Sequence, residues 1–187
     1  PGRHIVQNML AVLGAAHLAG ADVVQVAGAL ADLSAERGRG FRHRLKHPKG
    51  EFALIDESYN ANPASMQAAI KLLDGTEVKG KGRRIAVLGD MLELGAHSAK
   101  LHAELADVLA GTRTNMVLLA GKEMKALADS LPEGVKREHR DSVEEIIPLV
   151  LETVRPGDAV MVKSSNGVGF SRLVDALIRR YPAAGPE

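Results

Sequence analysis

The chain has 187 residues, 45% of them hydrophobic, which is enough for one sizeable core or for one domain plus part of another. With 24 basic and 23 acidic side chains the net charge is +1, so no global field points to nucleic acid or to an anionic membrane as a partner. The absence of cysteine excludes disulfides, thiolate metal sites and cysteine nucleophiles. No apolar run reaches the ~18 residues of a membrane span, and the N-terminus lacks the layout of a signal peptide.

The first expected element is a helix from His4 to about Ala19, because Ile5, Met9, Val12, Leu13 and Ala16 recur at helical spacing and Gly20 supplies a stop. Asp22 then caps a second helix running through Val23, Val26, Ala27 and Leu30 to Leu33 and Ser34. Two short helices cannot bury their own apolar faces, so the pair is expected to belong to a larger, truncated domain. The start at Pro1, close to a helix, fits a fragment of a longer protein. Arg37-Gly38-Arg39-Gly40 breaks the pattern, and the domain boundary is placed there, with Gly38 and Gly40 as hinges.

Phe41–His47 and Glu51–Asp56 flank Pro48-Lys49-Gly50 and read as a hairpin, with Arg42, Arg44 and Lys46 on a solvated or edge-protecting face. The apolar strand Phe52-Ala53-Leu54-Ile55 runs into a polar cluster, Asp56 to Asn62. Asn62 and Pro63 then start a helix with Met66, Ala69, Ile70 and Leu73 on its buried face. Gly80 to Arg83 reads as a flexible link into the buried strand Arg84–Leu88, which ends at Gly89-Asp90. Ser98 is expected to cap a helix carrying Leu101, Leu105 and Val108. Next come a strand at Asn115–Ala120, a helix near Met124–Leu131 and a Ser142-x-x-Glu145 capping box. The box opens a helix with Ile146, Ile147, Val150 and Leu151. A strand at Asp158–Val162 and a last helix with Phe170, Val174, Leu177 and Ile178 complete the pattern. The tail after Tyr181 is expected to fray.

Strands alternating with helices from Phe52 onward predict an α/β fold: a Rossmann-like, mostly parallel sheet with helices on both faces and an antiparallel edge hairpin, preceded by the two helices of the truncated domain. Three polar strand ends then share one rim: Asp56–Asn62, Gly89–Gly95 and Lys163–Gly167. Each alone reads equally well as an ordinary polar turn; their convergence favours a small-molecule site. Asp90 and Glu93 suit a cation or an ammonium group, or cap the next helix. Lys163, Ser164, Ser165 and Asn166 suit a carboxylate or phosphate. There is no Gly-x-x-x-x-Gly-Lys-Ser/Thr phosphate loop and no Gly-x-Gly-x-x-Gly dinucleotide fingerprint. His43 and His47 lack a third ligand nearby, so no metal site is assigned.

The stretch Asp56-Glu57-Ser58-Tyr59-Asn60-Ala61-Asn62-Pro63-Ala64-Ser65-Met66 resembles Asp-Asp-Ser-Tyr-Asn-Ala-Asn-Pro-Ser-Ser-Met of the Mur ligases, in the branch that uses D-alanyl-D-alanine. Gly89-Asp90-Met91-Leu92-Glu93-Leu94-Gly95 is similar to that branch's Gly-Asp-Met-x-Glu-Leu-Gly loop. Pro1-Gly2-Arg3-His4 with Asn8 resembles the Gly-x-His-Asn-x-x-Asn start of a helix in the family's ATP-binding central domain.

The resemblance implies that residues 1–38 end a central domain and that 39–187 form the C-terminal domain. It implies a ligase, cytoplasmic, using ATP and Mg2+ to join D-alanyl-D-alanine to a UDP-N-acetylmuramoyl-tripeptide, with the magnesium ligands mainly outside this chain. The remaining N-terminal and central domains would be its partners, and the fragment alone would be inactive. Asn8 would approach the adenine, Arg39 the phosphates and Glu57 the ribose. Tyr59, Asn60 and Asn62 would line the cleft, and Asp90, Glu93, Lys163, Ser164, Ser165 and Asn166 would surround the dipeptide. Ile5 stands where the family motif has Asn, Glu57 where it has Asp, and Lys-Ser-Ser-Asn where it more usually has Lys-Gly-Ser-Arg. Competing readings are a non-catalytic Rossmann-like nucleotide- or peptide-binding module and a related ligase such as a folylpolyglutamate synthetase.

Overall fold

The computed structural model describes residues 3–31 and 37–184, with side chains from residue 6 onward. The expectations for Pro1 and Gly2, for the side chains of Arg3, His4 and Ile5, and for the helix end at Leu33 and Ser34 lie outside the described residues. The chain divides into two compact units, 1–35 and 36–187.

The first unit is a helical hairpin of α1 (Arg3–Leu18) and α2 (Val23–Ala31). Gly20, at φ +78°, reverses the chain as expected. The Asp22 carboxylate accepts the N–H groups of Val24 and Gln25 at 2.9 and 3.3 Å. Val6, Leu10, Val12, Leu18 and Val24 are exposed in this unit.

The second unit is one six-stranded sheet built from β1 (Phe41–His47), β2 (Gly50–Glu57), β3 (Arg84–Gly89), β4 (Met116–Ala120), β5 (Lys136–Arg140) and β6 (Ala159–Lys163). The spatial order is β1-β2-β6-β3-β4-β5, with only the β1–β2 pair antiparallel. Alternate residues of the central strands go to opposite faces. Ala86 and Leu88 pack with α3 (Pro63–Asp74), α5 (Leu105–Ala110) and α6 (Met124–Ser130). Ile85 and Val87 pack with α7 (Val143–Thr153) and α8 (Ser171–Arg180). Strands buried on both faces carry the continuous apolar runs seen in the sequence.

The hairpin expectation holds: Leu45 is fully buried, while Arg42, Arg44 and Lys46 are exposed. At α3, Asn62 accepts the Ser65 N–H at 2.8 Å and the Ser65 hydroxyl accepts the Asn62 N–H at 3.0 Å, a full capping box in front of Pro63.

Several expectations need correction. Strand β5 was missing from them, because Lys-Arg-Glu-His-Arg has no apolar residue; an edge strand pairs through its backbone and tolerates charge. The Ser98 helix is broken into α4 (Ser98–Ala103) and α5, and Ser98 does not cap it; its hydroxyl lies 3.3 Å from His102 instead. The buried stripe there is His102, Leu105, Ala106 and Leu109, with Leu101 and Val108 only half-buried. At Ser142 only half the box forms, since Glu145 accepts the Asp141 N–H, not that of Ser142.

The link before β3 is clasped, not loose. The Arg83 guanidinium grips the buried Asp158 carboxylate at 2.6 and 3.2 Å, and Asp158 also accepts the Arg83 N–H at 2.8 Å. The tail does not fray at once either. Residues 182–184 pair with the outer edge of β1, through Lys46 N–H to Pro182 C=O at 2.8 Å and Ala184 N–H to Arg44 C=O at 2.7 Å.

Candidate functional site

Strands β2, β6 and β3 are neighbours, and their carboxyl ends fall level: Glu57 is opposite Lys163, which is opposite Leu88. The three polar stretches singled out from the sequence therefore leave one rim side by side, with the β6 end in the middle. Loops at such a rim lie where the parallel strands' backbone ends, which is where α/β sheets present ligand-binding groups.

The β2 wall is built on Asp56, which is fully buried. Its carboxylate accepts the Gly38 N–H at 2.9 Å, the Ser58 N–H at 3.1 Å and the Ser58 hydroxyl at 2.6 Å. Gly40 N–H to Asp56 C=O and Tyr59 N–H to Gly38 C=O complete the clasp at 2.8 and 3.0 Å. Residues 38–40 are thus seated on the end of β2, and the two glycines read as hinges are pinned by hydrogen bonds. This seating presents the Arg39 guanidinium over the face of Tyr59, 4.1 Å from the ring centroid, with Tyr59 about half exposed.

Lys163 is almost wholly buried and spends its ammonium on the wall: Nζ donates to Asn60 C=O at 2.9 Å and lies 3.4 Å from the Glu57 carboxylate. Burial pushes its pKa below the ordinary lysine value, and Glu57 opposes that shift. Glu57 remains partly exposed at the rim. Asn60 and Asn62 are exposed at the surface, but Asn60 Oδ1 accepts the Ala61 N–H and Asn62 caps α3.

The β3 wall is built on Asp90. Its Oδ1 accepts the Met124 N–H at 2.9 Å, so the carboxylate caps α6. Burial raises its pKa, and the N–H groups of Met124 and Glu123 oppose that rise. Ser165 ties this wall to β6, donating its N–H to Asp90 C=O at 3.0 Å and accepting the Leu92 N–H at 2.9 Å. Ser164 is buried, its hydroxyl turned to the Ser165 carbonyl at 3.1 Å. Glu93 and Asn166 are exposed.

The rim therefore gathers Arg39, Glu57, Tyr59, Asn60, Asn62, Asp90, Glu93, Lys163, Ser164, Ser165 and Asn166. Asn8 is exposed on α1, in the first unit. The exposed or half-exposed groups available to a ligand are Arg39, Glu57, Tyr59, Glu93 and Asn166, whereas Asp90, Lys163, Ser164 and Ser165 mainly hold the walls. Beside Tyr59 an open hollow of about 260 Å³ is lined by Ser58, Asn166 and Asp175, and Asp175 is ion-paired to Arg37. Two residues that organise the rim escaped the sequence reading: Asp56, counted only as part of a motif, and His102, a polar residue at a fully buried helical position.

Residues 38–166 match the family described as Mur ligase, glutamate ligase domain. The chain is 31% identical to the UDP-N-acetylmuramoyl-tripeptide–D-alanyl-D-alanine ligase of Rickettsia prowazekii over 173 residues, 92% of this chain and 37% of that protein. Among solved structures it is similar to the UDP-N-acetylmuramoylalanyl-D-glutamyl-2,6-diaminopimelate–D-alanyl-D-alanyl ligase of Acinetobacter baumannii (TM-score 0.76, 26% identity, 95% of this chain and 37% of that one). It is also similar to the MurF ligase of Thermotoga maritima in complex with ADP (TM-score 0.68, 26% identity, 94% and 38%). The chain thus spans little more than a third of the length of the relatives it matches. With the family's domain covering most of the second unit, the chain belongs to the Mur ligase family.

Proposed function

We propose that this chain is the C-terminal part of an ATP-dependent ligase that adds D-alanyl-D-alanine to a UDP-N-acetylmuramoyl-tripeptide, a cytoplasmic step of peptidoglycan synthesis. The observation that carries the reading is the rim itself: adjacent strands bring the Asp56–Met66 and Gly89–Gly95 motifs together around Lys163, in a chain about 30% identical to ligases of that name. The first unit is read as the end of the ATP-binding central domain, carrying Asn8 toward the adenine.

In this reading the tripeptide carboxylate takes the terminal phosphoryl group of ATP, and ADP leaves. The amine of the dipeptide then attacks the acyl carbon, the amide forms, and phosphate departs with the bonding pair. ATP supplies the leaving group that a bare carboxylate lacks. The chain's own contribution is positioning and charge. Arg39, oriented by Tyr59 and by the seating of residues 38–40 on β2, faces the phosphates. Glu57, steadied by Lys163, accepts from the ribose. Glu93 stands on the opposite wall for the incoming amine. Closing this domain over the reacting groups excludes water that would hydrolyse the acyl phosphate. Among the described residues no group of three His, Cys, Asp or Glu side chains could hold a metal ion, so no step is routed through magnesium here.

The experiment is ADP release with ATP, the UDP-tripeptide and the dipeptide. The 187-residue chain should be inactive alone, and the same chain preceded by nucleotide- and UDP-sugar-binding domains of such a ligase should turn over. Turnover by the chain alone overturns the division of labour. Absence of dipeptide-dependent ADP release from the complete protein overturns the reading.

A further inference from the structure

His102 is fully buried on α4 and lies outside every motif, yet both of its ring nitrogens are committed. Nε2 accepts the Met91 N–H at 2.9 Å, and Nδ1 lies 2.8 Å from the Ser98 carbonyl. An amide N–H can only donate and a carbonyl can only accept, so the two partners fix a neutral ring with its proton on Nδ1. With both nitrogens taken by backbone, this histidine is not placed to act as a base toward a substrate.

What it does hold is the turn of the Gly89–Gly95 loop. Asp90 C=O is bonded to the Ser165 N–H, Met91 N–H to His102, and Leu92 N–H to the Ser165 hydroxyl at 2.9 Å. Three successive residues are thus gripped from α4 on one side and from the end of β6 on the other. The next residue, Glu93, has φ +65°, and among the described residues it is the only non-glycine with positive φ. A side chain in that region costs about 1–2 kcal/mol, so the conformation persists only where surrounding contacts impose it. Glu93 is exposed, and among the described residues its carboxylate makes no hydrogen bond or ion pair.

We propose that His102 is a positioning residue: with Ser165 it fixes the Met91 and Leu92 amides so that Glu93 is held left-handed, its carboxylate presented at the rim to the amine of the incoming dipeptide. This rests on the ligase reading above. It assigns the strain at Glu93 to recognition of a cationic amine, and it makes a residue of the hydrophobic layer a determinant of that substrate's binding and not of ATP's.

The test uses the complete ligase carrying this chain, with H102L, H102Q, S165A and E93Q. Glutamine can return an acceptor near Nε2, whereas leucine fills the space and returns none. The expected result for H102L is faster hydrogen exchange at the Met91 amide and a rise of about tenfold in KM for D-alanyl-D-alanine, the loss of roughly one oriented charge contact, with KM for ATP within about twofold. H102Q should recover most of both. E93Q should raise the same KM without changing Met91 exchange. If H102L does not fold, S165A carries the readout through Leu92 exchange and the same pair of KM values. Faster exchange with an unchanged dipeptide KM, or equal rises in both KM values, would overturn the proposal. A wild-type ligase without dipeptide-dependent turnover would instead sink the functional reading, while amide exchange still decides whether His102 holds the loop.

Discussion

The two walls of the rim use the same device with opposite reach. At the end of β2 the first acid of the motif, Asp56, is buried and spends its carboxylate on groups close by, Ser58 and Gly38. At the end of β3 the first acid, Asp90, is also buried, but its partners lie far along the chain, at the start of α6. In both cases a later acid, Glu57 or Glu93, is left at the surface. The difference teaches that the β2 wall is a local clasp that seats the link and aims Arg39, whereas the β3 wall depends on the packing of α4 and α6 around it. A motif acid is therefore not automatically a ligand acid.

The largest expected effect tests that distinction on the β2 wall. Asp56→Ala removes the acceptor of three hydrogen bonds in a fully buried place, and it should cost about 3 kcal/mol or more, read as a drop in the urea midpoint. A loss under about 0.5 kcal/mol would mean the clasp is dispensable.

Next come two glycines, one in each wall. A Cβ on Gly38 (φ +78°) would stand 2.8 Å from the Tyr59 Cβ, and one on Gly121 (φ +118°) would stand 2.3 Å from the Asp90 carboxylate. Gly38→Ala and Gly121→Ala should each destabilise by about 2–4 kcal/mol through overlap plus backbone strain. Of the two, Gly38→Ala should also displace Arg39 and lower kcat in the complete ligase at a temperature where it remains folded. Equal kinetic effects from both substitutions would erase the contrast between the walls.

A smaller, pH-dependent effect sharpens the account of Asp90. Its folded pKa is raised above 3.8 by burial, so the folded state holds a proton that the unfolded state has released. Its contribution to stability is therefore fully present below the unfolded value and is lost as pH rises through the folded pKa. The stability of the wild type minus that of Asp90→Asn should fall as pH rises across this window, measured by urea denaturation. A difference that grows with pH would contradict the burial of this carboxylate.

Much of this was legible in the sequence, for physical reasons that also mark where legibility stops. Strands buried on both faces announce themselves as apolar runs, so β3, β4 and β6 were visible, and the Asn62-Pro63 helix start follows from local hydrogen bonding and fixed φ. Edge strand β5 was invisible, because its pairing needs only backbone groups. The pairing of residues 182–184 with β1 was invisible for the same reason. The rim loops were legible as polar stretches, but not which polar groups face out: that depends on partners such as Met124 and His102, which no spacing rule connects to Asp90 and Met91.

The division of the rim into a nucleotide wall and an amine wall is tested most directly by measuring KM for ATP and for D-alanyl-D-alanine in Glu57→Gln and Glu93→Gln of the complete ligase. The account expects Glu57→Gln to raise KM for ATP and leave that for the dipeptide within about twofold, with Glu93→Gln doing the reverse. Both substitutions moving the same KM, or each moving the other wall's, would contradict it.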